Sequence, residues 1–252
     1  MVTIKKEKIN HIPCLHVVKQ QIKNEPLPVV IFIHGFESIK ERNLQYAYML
    51  AEKGIRVILP DALFHGERAE FKNLHLEFWN IILTTIHELQ EIKDELVTRN
   101  LVDEARIGIA GTSMGGIITL GAMVKYEWIK AAVSLMGNPA YVNFAQIQLE
   151  TFKKNNVSIP FTEKQIENIF HILQEYDATL NLHKWHYRPL LFWHGKRDET
   201  VPYQSAYQFY QLLKEEYEER LIPLDFILDD KAGHVVPNQG VIATIEWFNE
   251  HL

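Results

Sequence analysis

Short apolar runs and longer amphipathic stretches succeed one another along the chain. Residues 29–33, 55–59, 106–110, 131–135, 189–193 and 224–228 are brief, mostly apolar and rich in β-branched or aromatic residues, which is the pattern of buried strands. Between them lie stretches with helical spacing: residues 43–53, closed by Gly54, then 117–124, 203–219 and 236–251. Residues 71–99 carry Leu76, Trp79, Leu83, Ile86, Leu89, Ile92 and Leu96 at intervals of three and four, read as one long helix or a broken one. At the amino end, two runs, 2–9 and 12–19, flank Asn10-His11 and predict an antiparallel hairpin at a sheet edge. Strands alternating with helices imply an α/β fold with a mostly parallel central sheet covered by helices on both faces.

One segment breaks the alternation. Residues 139–187 hold helical patterns and no good strand, and Thr162-Glu163-Lys164-Gln165 after Pro160 reads as a capping box opening a helix. The whole of 1–252 is expected to form one domain, with 139–187 as a helical cap inserted into it. The insert is rich in aromatics: Tyr141, Phe144, Phe152, Phe161, Phe170, Tyr176, Trp185 and Tyr187. They serve either to pack it onto the main body or to give a lid an apolar inner face.

Composition narrows the classes. A hydrophobic fraction of 47% and a charged fraction of 23% belong to an ordinary globular protein. The formal net charge of −6 argues against nucleic acid as the main partner, because phosphate binding needs a concentrated basic surface. The uncharged stretch 107–124 has the length of a membrane span, but Gly111, Gly115 and Gly116 interrupt it. A single cysteine, Cys14, excludes an internal disulfide and suits a reducing compartment. The amino terminus lacks the apolar core of a signal peptide, so a cytoplasmic protein is expected.

The chemistry begins at Gly111-Thr112-Ser113-Met114-Gly115, a G-x-S-x-G segment between an apolar strand pattern and an apolar helix pattern. A serine thrust out on so sharp a strand-to-helix turn leaves no room for side chains two positions either side, which accounts for both glycines. Ser113 is thus the candidate nucleophile. A serine hydroxyl needs a base, and the base needs a carboxylate to orient it. Of twelve histidines, His234 follows the strand 224–228 in Ala232-Gly233-His234, at the sheet edge where Ser113 should also emerge. Asp198 follows the strand 189–193, with Glu199 as its near rival, whereas Asp229 and Asp230 suit the turn before His234. His34-Gly35-Phe36 ends the strand 29–33 in a glycine turn, so the Phe36 and Met114 backbone N–H groups are candidate donors to an oxyanion. His34 itself shapes that turn or joins the pocket wall.

These residues resemble those of the α/β-hydrolase family, in that family's order Ser113, Asp198, His234. Residues 102–116 and Asp198-Glu199-Thr200-Val201-Pro202 are similar to its prolyl-oligopeptidase-like branch, which includes small bacterial esterases and dienelactone hydrolases. Pro60-Asp61-Ala62-Leu63-Phe64-His65-Gly66-Glu67-Arg68 resembles a loop of those esterases, by which His65 and Gly66 line the pocket or serve the loop alone. Dienelactone hydrolases use a cysteine where this chain has Ser113, which argues against that activity. Peptidases of the branch carry a large extra domain, for which 252 residues leave no room. The resemblance implies a serine carboxylic-ester hydrolase without metal or cofactor, and a lid of fewer than fifty residues with an aromatic pocket suggests a small or short-chain acyl group. A thioesterase, an amidase, a small peptidase or a non-catalytic ligand-binding module on the same fold remains open.

Overall fold

Val2–Ile9 (β1) and Ile12–Lys19 (β2) pair as the antiparallel hairpin, in register from Val2 against Lys19 to Ile9 against Ile12. A computed structural model describes residues 1–252 and continues from this hairpin into one eight-stranded sheet. The other strands are Leu27–Ile33 (β3), Arg56–Pro60 (β4), Val102–Thr112 (β5), Ala131–Leu135 (β6), Leu190–Gly195 (β7) and Leu224–Asp229 (β8). Their order is β1-β2-β4-β3-β5-β6-β7-β8. β2 runs antiparallel to both its neighbours, and every pairing from β4 to β8 is parallel.

The helices are Leu44–Glu52 (α1), Leu74–Thr98 (α2), Met114–Lys125 (α3), Tyr141–Lys154 (α4), Glu163–Tyr176 (α5), Gln204–Glu219 (α6) and Asn238–His251 (α7). Alternating strand residues feed two separate cores, as a pleat with period two requires. Val29, Ile31 and Ile33 of β3 pack with residues of α2, α3 and α6, while Val30 and Phe32 pack with α1 and α7. No helix is long and apolar enough to cross a membrane.

The fold departs from the hydrophobic pattern in two places. β5 starts at Val102, well before its apolar stretch, because Glu104, Ala105 and Arg106 lie exposed at one end of the strand and carry no burial signal. α3 starts at Met114 rather than Ile117, since Gly115 and Gly116 are chosen for contact with neighbouring backbone and not for helix propensity. The long stretch 74–98 is one unbroken helix.

Residues 139–187 contain α4, α5 and a short 3-10 turn at Leu182–Lys184 and no strand. The capping box is present: the Thr162 hydroxyl accepts from the Gln165 N–H at 3.3 Å, and Gln165 Oε1 accepts from the Thr162 N–H at 2.8 Å. The two ends of the segment are tied to each other and to the body. Asp177 Oδ2 accepts from the Val142 N–H at 2.9 Å, and the Tyr141 hydroxyl donates to the Ile117 carbonyl at 2.5 Å. Buried Arg188 donates to the carbonyls of Met123, Tyr126 and Trp185.

Candidate active site

The chain reverses its winding direction at β3, and the loops leaving the carboxyl ends of β3, β5, β7 and β8 gather on one rim, where open α/β sheets assemble their sites. Ser113 sits between β5 and α3 with φ 56° and ψ −114°, a conformation that costs a non-glycine residue about 1–3 kcal/mol. The turn is held by backbone crowding: a Cβ on Gly111 would lie 2.3 Å from the Gly115 carbonyl carbon, and one on Gly115 would lie 2.2 Å from the Ile33 oxygen.

The strained turn delivers the Ser113 hydroxyl to His234, 121 positions away, and Oγ–H donates to Nε2 at 2.8 Å. On the other side of the ring, Nδ1–H donates to Asp198 Oδ2 at 2.7 Å. The second oxygen of Asp198 is already committed, accepting from the Thr200 and Val201 backbone N–H groups at 3.0 and 2.9 Å. Burial by itself would raise the Asp198 pKa, but the hydrogen bonds from His234 and Val201 outweigh it and hold the carboxyl below its usual range. An ionised carboxylate only accepts, so His234 must carry its proton on Nδ1 and leave Nε2 free to accept from the serine. The loops bearing the two residues are joined through the Arg197 N–H, which donates to the Ala232 carbonyl at 3.0 Å.

Asp229 accepts from the N–H groups of Lys231 and Ala232 and so shapes the turn before His234. Glu199 lines the cavity in front of Ser113 instead of touching the ring. Phe36 lines the same cavity, and the turn carrying it lies against the serine, since a Cβ on Gly35 would be 3.6 Å from the Ser113 Cβ. Met114 opens α3, a position whose N–H has no partner within the helix.

His34, His65 and Gly66, expected at the pocket, are not among the residues that line it. His34 is fully buried: Nδ1–H donates to the Gly35 carbonyl at 2.8 Å and Nε2 accepts from the Ala62 N–H at 3.1 Å. His65 donates to the Leu63 carbonyl and accepts from the Glu37 N–H. Both nitrogens of each ring are thus spent on backbone groups, binding the turn after β3 to the loop after β4. Burial lowers the pKa of both rings, that of His34 to about 4, so they stay neutral. Gly66, at φ +54°, leaves space for buried Asp61, whose Oδ1 would lie 2.1 Å from an added Cβ. Asp61 is paired with buried Lys40 at 2.5 Å.

The cavity holds about 1010 Å³. Its walls come from α4 (Phe144, Ile147, Phe152), the start of α2 (His75, Phe78) and α6 (Gln204, Gln208, Phe209), none of which carries a sequence motif; distant helices meet there only through the tertiary fold. No Lys or Arg lines it. The insert's aromatics divide between roles: Phe144 and Phe152 face the cavity, while Tyr141, Tyr176 and Trp185 are buried in packing.

The sequence profile of the Prolyl oligopeptidase family matches residues 45–252. The chain is 46% identical over 255 aligned residues to Putative esterase YitV of Bacillus subtilis, and 30% identical over 257 to Esterase YjfP of Escherichia coli; both alignments cover the full length of both proteins. In three dimensions it is similar to the crystal structure of TT1662 from Thermus thermophilus, with a TM-score of 0.76, 18% identity, and 99% of this chain and 98% of that one covered. At that identity the likeness speaks for the fold.

Proposed function

Because the chain belongs to the prolyl oligopeptidase family and is a serine hydrolase of the α/β-hydrolase fold, we propose that it hydrolyses carboxylic esters of small molecules, with Ser113, His234 and Asp198 as its catalytic residues. The observation that carries this reading is the continuous chain of hydrogen bonds from Ser113 Oγ through His234 to Asp198, at 2.8 and 2.7 Å, opening on the cavity. The esterase names of the two full-length relatives support it.

Ser113 Oγ attacks the acyl carbonyl carbon as His234 Nε2 takes the hydroxyl proton. Asp198 holds the ring and stabilises the imidazolium, and the Phe36 and Met114 N–H groups donate to the oxygen that gains the charge. When the tetrahedral adduct collapses, the C–O bond to the alcohol breaks and His234 protonates the departing oxygen. Water then attacks the acyl-enzyme with His234 as base, and the carboxylic acid leaves with Ser113 restored. A phosphorylated carrier or an acidic substrate would meet no Lys or Arg in the cavity, which favours neutral esters over acyl-carrier thioesters.

Residues 139–187 serve in this reading as the cap that walls the cavity through α4. The free, buried thiol of Cys14 fits a reducing cytoplasm. The test is reaction with a fluorophosphonate followed by peptide mapping: the adduct is expected on Ser113, with ester turnover lost in Ser113→Ala. Labelling at another residue, or full turnover by the variant, overturns the proposal.

A further inference from the structure

A second chamber, of about 350 Å³, lies beside the cavity between α2, α4 and α5. Twelve of its sixteen lining residues are hydrophobic, and none is Lys or Arg. Its origin is visible in the apolar stripe of α2. Toward the carboxyl end, Ile86, Leu89 and Leu96 are buried in the core, but at the amino end Leu76, Trp79 and Leu83 are only half-buried and line the chamber. Facing them from α5 are Ile166, Ile169 and Phe170, also half-buried. Two helices thus present core-like stripes across a gap that neither fills, which is the surface an apolar ligand covers with gain.

The chamber adjoins the reaction site. His75, Gln148 and Phe152 line both spaces. Gln148 Oε1 accepts from the Trp79 indole N–H at 2.8 Å, so these two polar groups at the partition satisfy one another. An apolar chain passing there leaves that bond intact and meets no Lys or Arg.

We propose that this chamber receives the apolar arm, alkyl or aryl, of an ester whose carbonyl lies at Ser113; the inference rests on the ester-hydrolase reading above. The substrate is then longer than the short-chain ester expected from the size of the insert. A separate occupant is disfavoured because the chamber shares its wall with the space where the reacting carbonyl must sit.

Two substrate series test this: 4-nitrophenyl esters from acetate to decanoate, which lengthen the acyl side, and alkyl acetates from ethyl to octyl, which lengthen the alcohol side. In one of them kcat/KM should rise about tenfold or more with length, the range that apolar pockets discriminate. The responding series identifies which side of the ester occupies the chamber. Ile169→Trp, which fills it, should return the long-to-short ratio of kcat/KM to near unity, and Leu83→Phe gives a second filling variant should the first not fold. A flat or falling trend in both series, or a rise that a folded filling variant leaves intact, overturns the proposal. Absence of turnover on 4-nitrophenyl acetate as well would remove the ester-hydrolase reading itself.

Discussion

The Glu37 backbone N–H donates to Nε2 of His65 at 3.0 Å, so a ring 28 positions downstream holds the turn that presents Phe36 to the cavity. Glu37 takes a left-handed φ of 57°, which makes the turn dependent on outside support. The His65 ring also packs edge-on against Phe36, with centroids 5.8 Å apart.

His65→Phe keeps the ring volume and removes the acceptor. Losing this part-buried hydrogen bond costs about 0.5–1.5 kcal/mol, and a loosened turn misplaces the Phe36 N–H. Ester kcat is expected to fall by between about ten- and a hundredfold with less change in KM, because the oxyanion contact proposed for Phe36 matters most in the transition state. Steady-state kinetics beside a denaturant titration would read both effects; wild-type kcat in a folded variant would show that the turn holds without the ring.

Exchanging the carboxylate for its amide tests a tautomer. Asp198 Oδ1 already receives two backbone N–H groups, so in Asp198→Asn the amide oxygen is drawn to that position and the NH₂ faces His234 Nδ1. The ring must then accept at Nδ1 and carry its proton on Nε2, where it can no longer take one from Ser113. A loss of about 10⁴-fold in kcat is expected, the size seen when a triad histidine is held in the wrong tautomer, with little change in thermal midpoint. An unchanged rate would mean the ring has another orienting partner.

Acid should destabilise the fold in a defined window. Burial lowers the pKa of His34 to about 4, and of His65 and His194, from an ordinary value near 6.5. Below 6.5 the unfolded chain therefore binds protons that the folded rings refuse, so stability is full above that pH and falls as pH drops toward 4. His34 alone corresponds to roughly 3 kcal/mol over this range. Denaturant midpoints at pH 7, 5.5 and 4.5 should decrease in that order, and a flat profile would contradict the neutral buried rings.

Lys40 and Asp61 form a buried pair behind the same turn. Asp61 lowers the cost of keeping the ammonium inside, and its hydrogen bond, with that of Glu67, raises the lysine's pKa although burial alone would lower it. Lys40→Met leaves the carboxylate buried without its counter-charge, a loss of about 3–5 kcal/mol. Chemical denaturation should show it, and Lys40→Met combined with Asp61→Asn should recover part of it.

The parts of this molecule most legible in its sequence are those governed by short-range rules. β1, β2 and β6 fall where alternation and β-branching place them, the Thr162 cap closes on Gln165, and Ser113, Asp198 and His234 stand at strand ends that the topology gathers on one rim. What was not legible depends on side-chain direction. His34 and His65 lie in the right loops, yet each ring turns inward because unpaired backbone groups there need a partner, and spacing carries no trace of that demand. The cavity walls on α2 and α6 escape a reading along the chain for the same reason, whereas Phe144 and Phe152 of α4 stand among the aromatics that the sequence offers for a lid's inner face.

The crowding at Gly111 and Gly115 is main chain against main chain. Repacking neighbours cannot relieve it, as it could relieve a clash between side chains. A laboratory reshaping this protein toward new substrates should therefore keep those two positions constant in every library and vary the walls built by α4 and α6, away from the turn that holds Ser113.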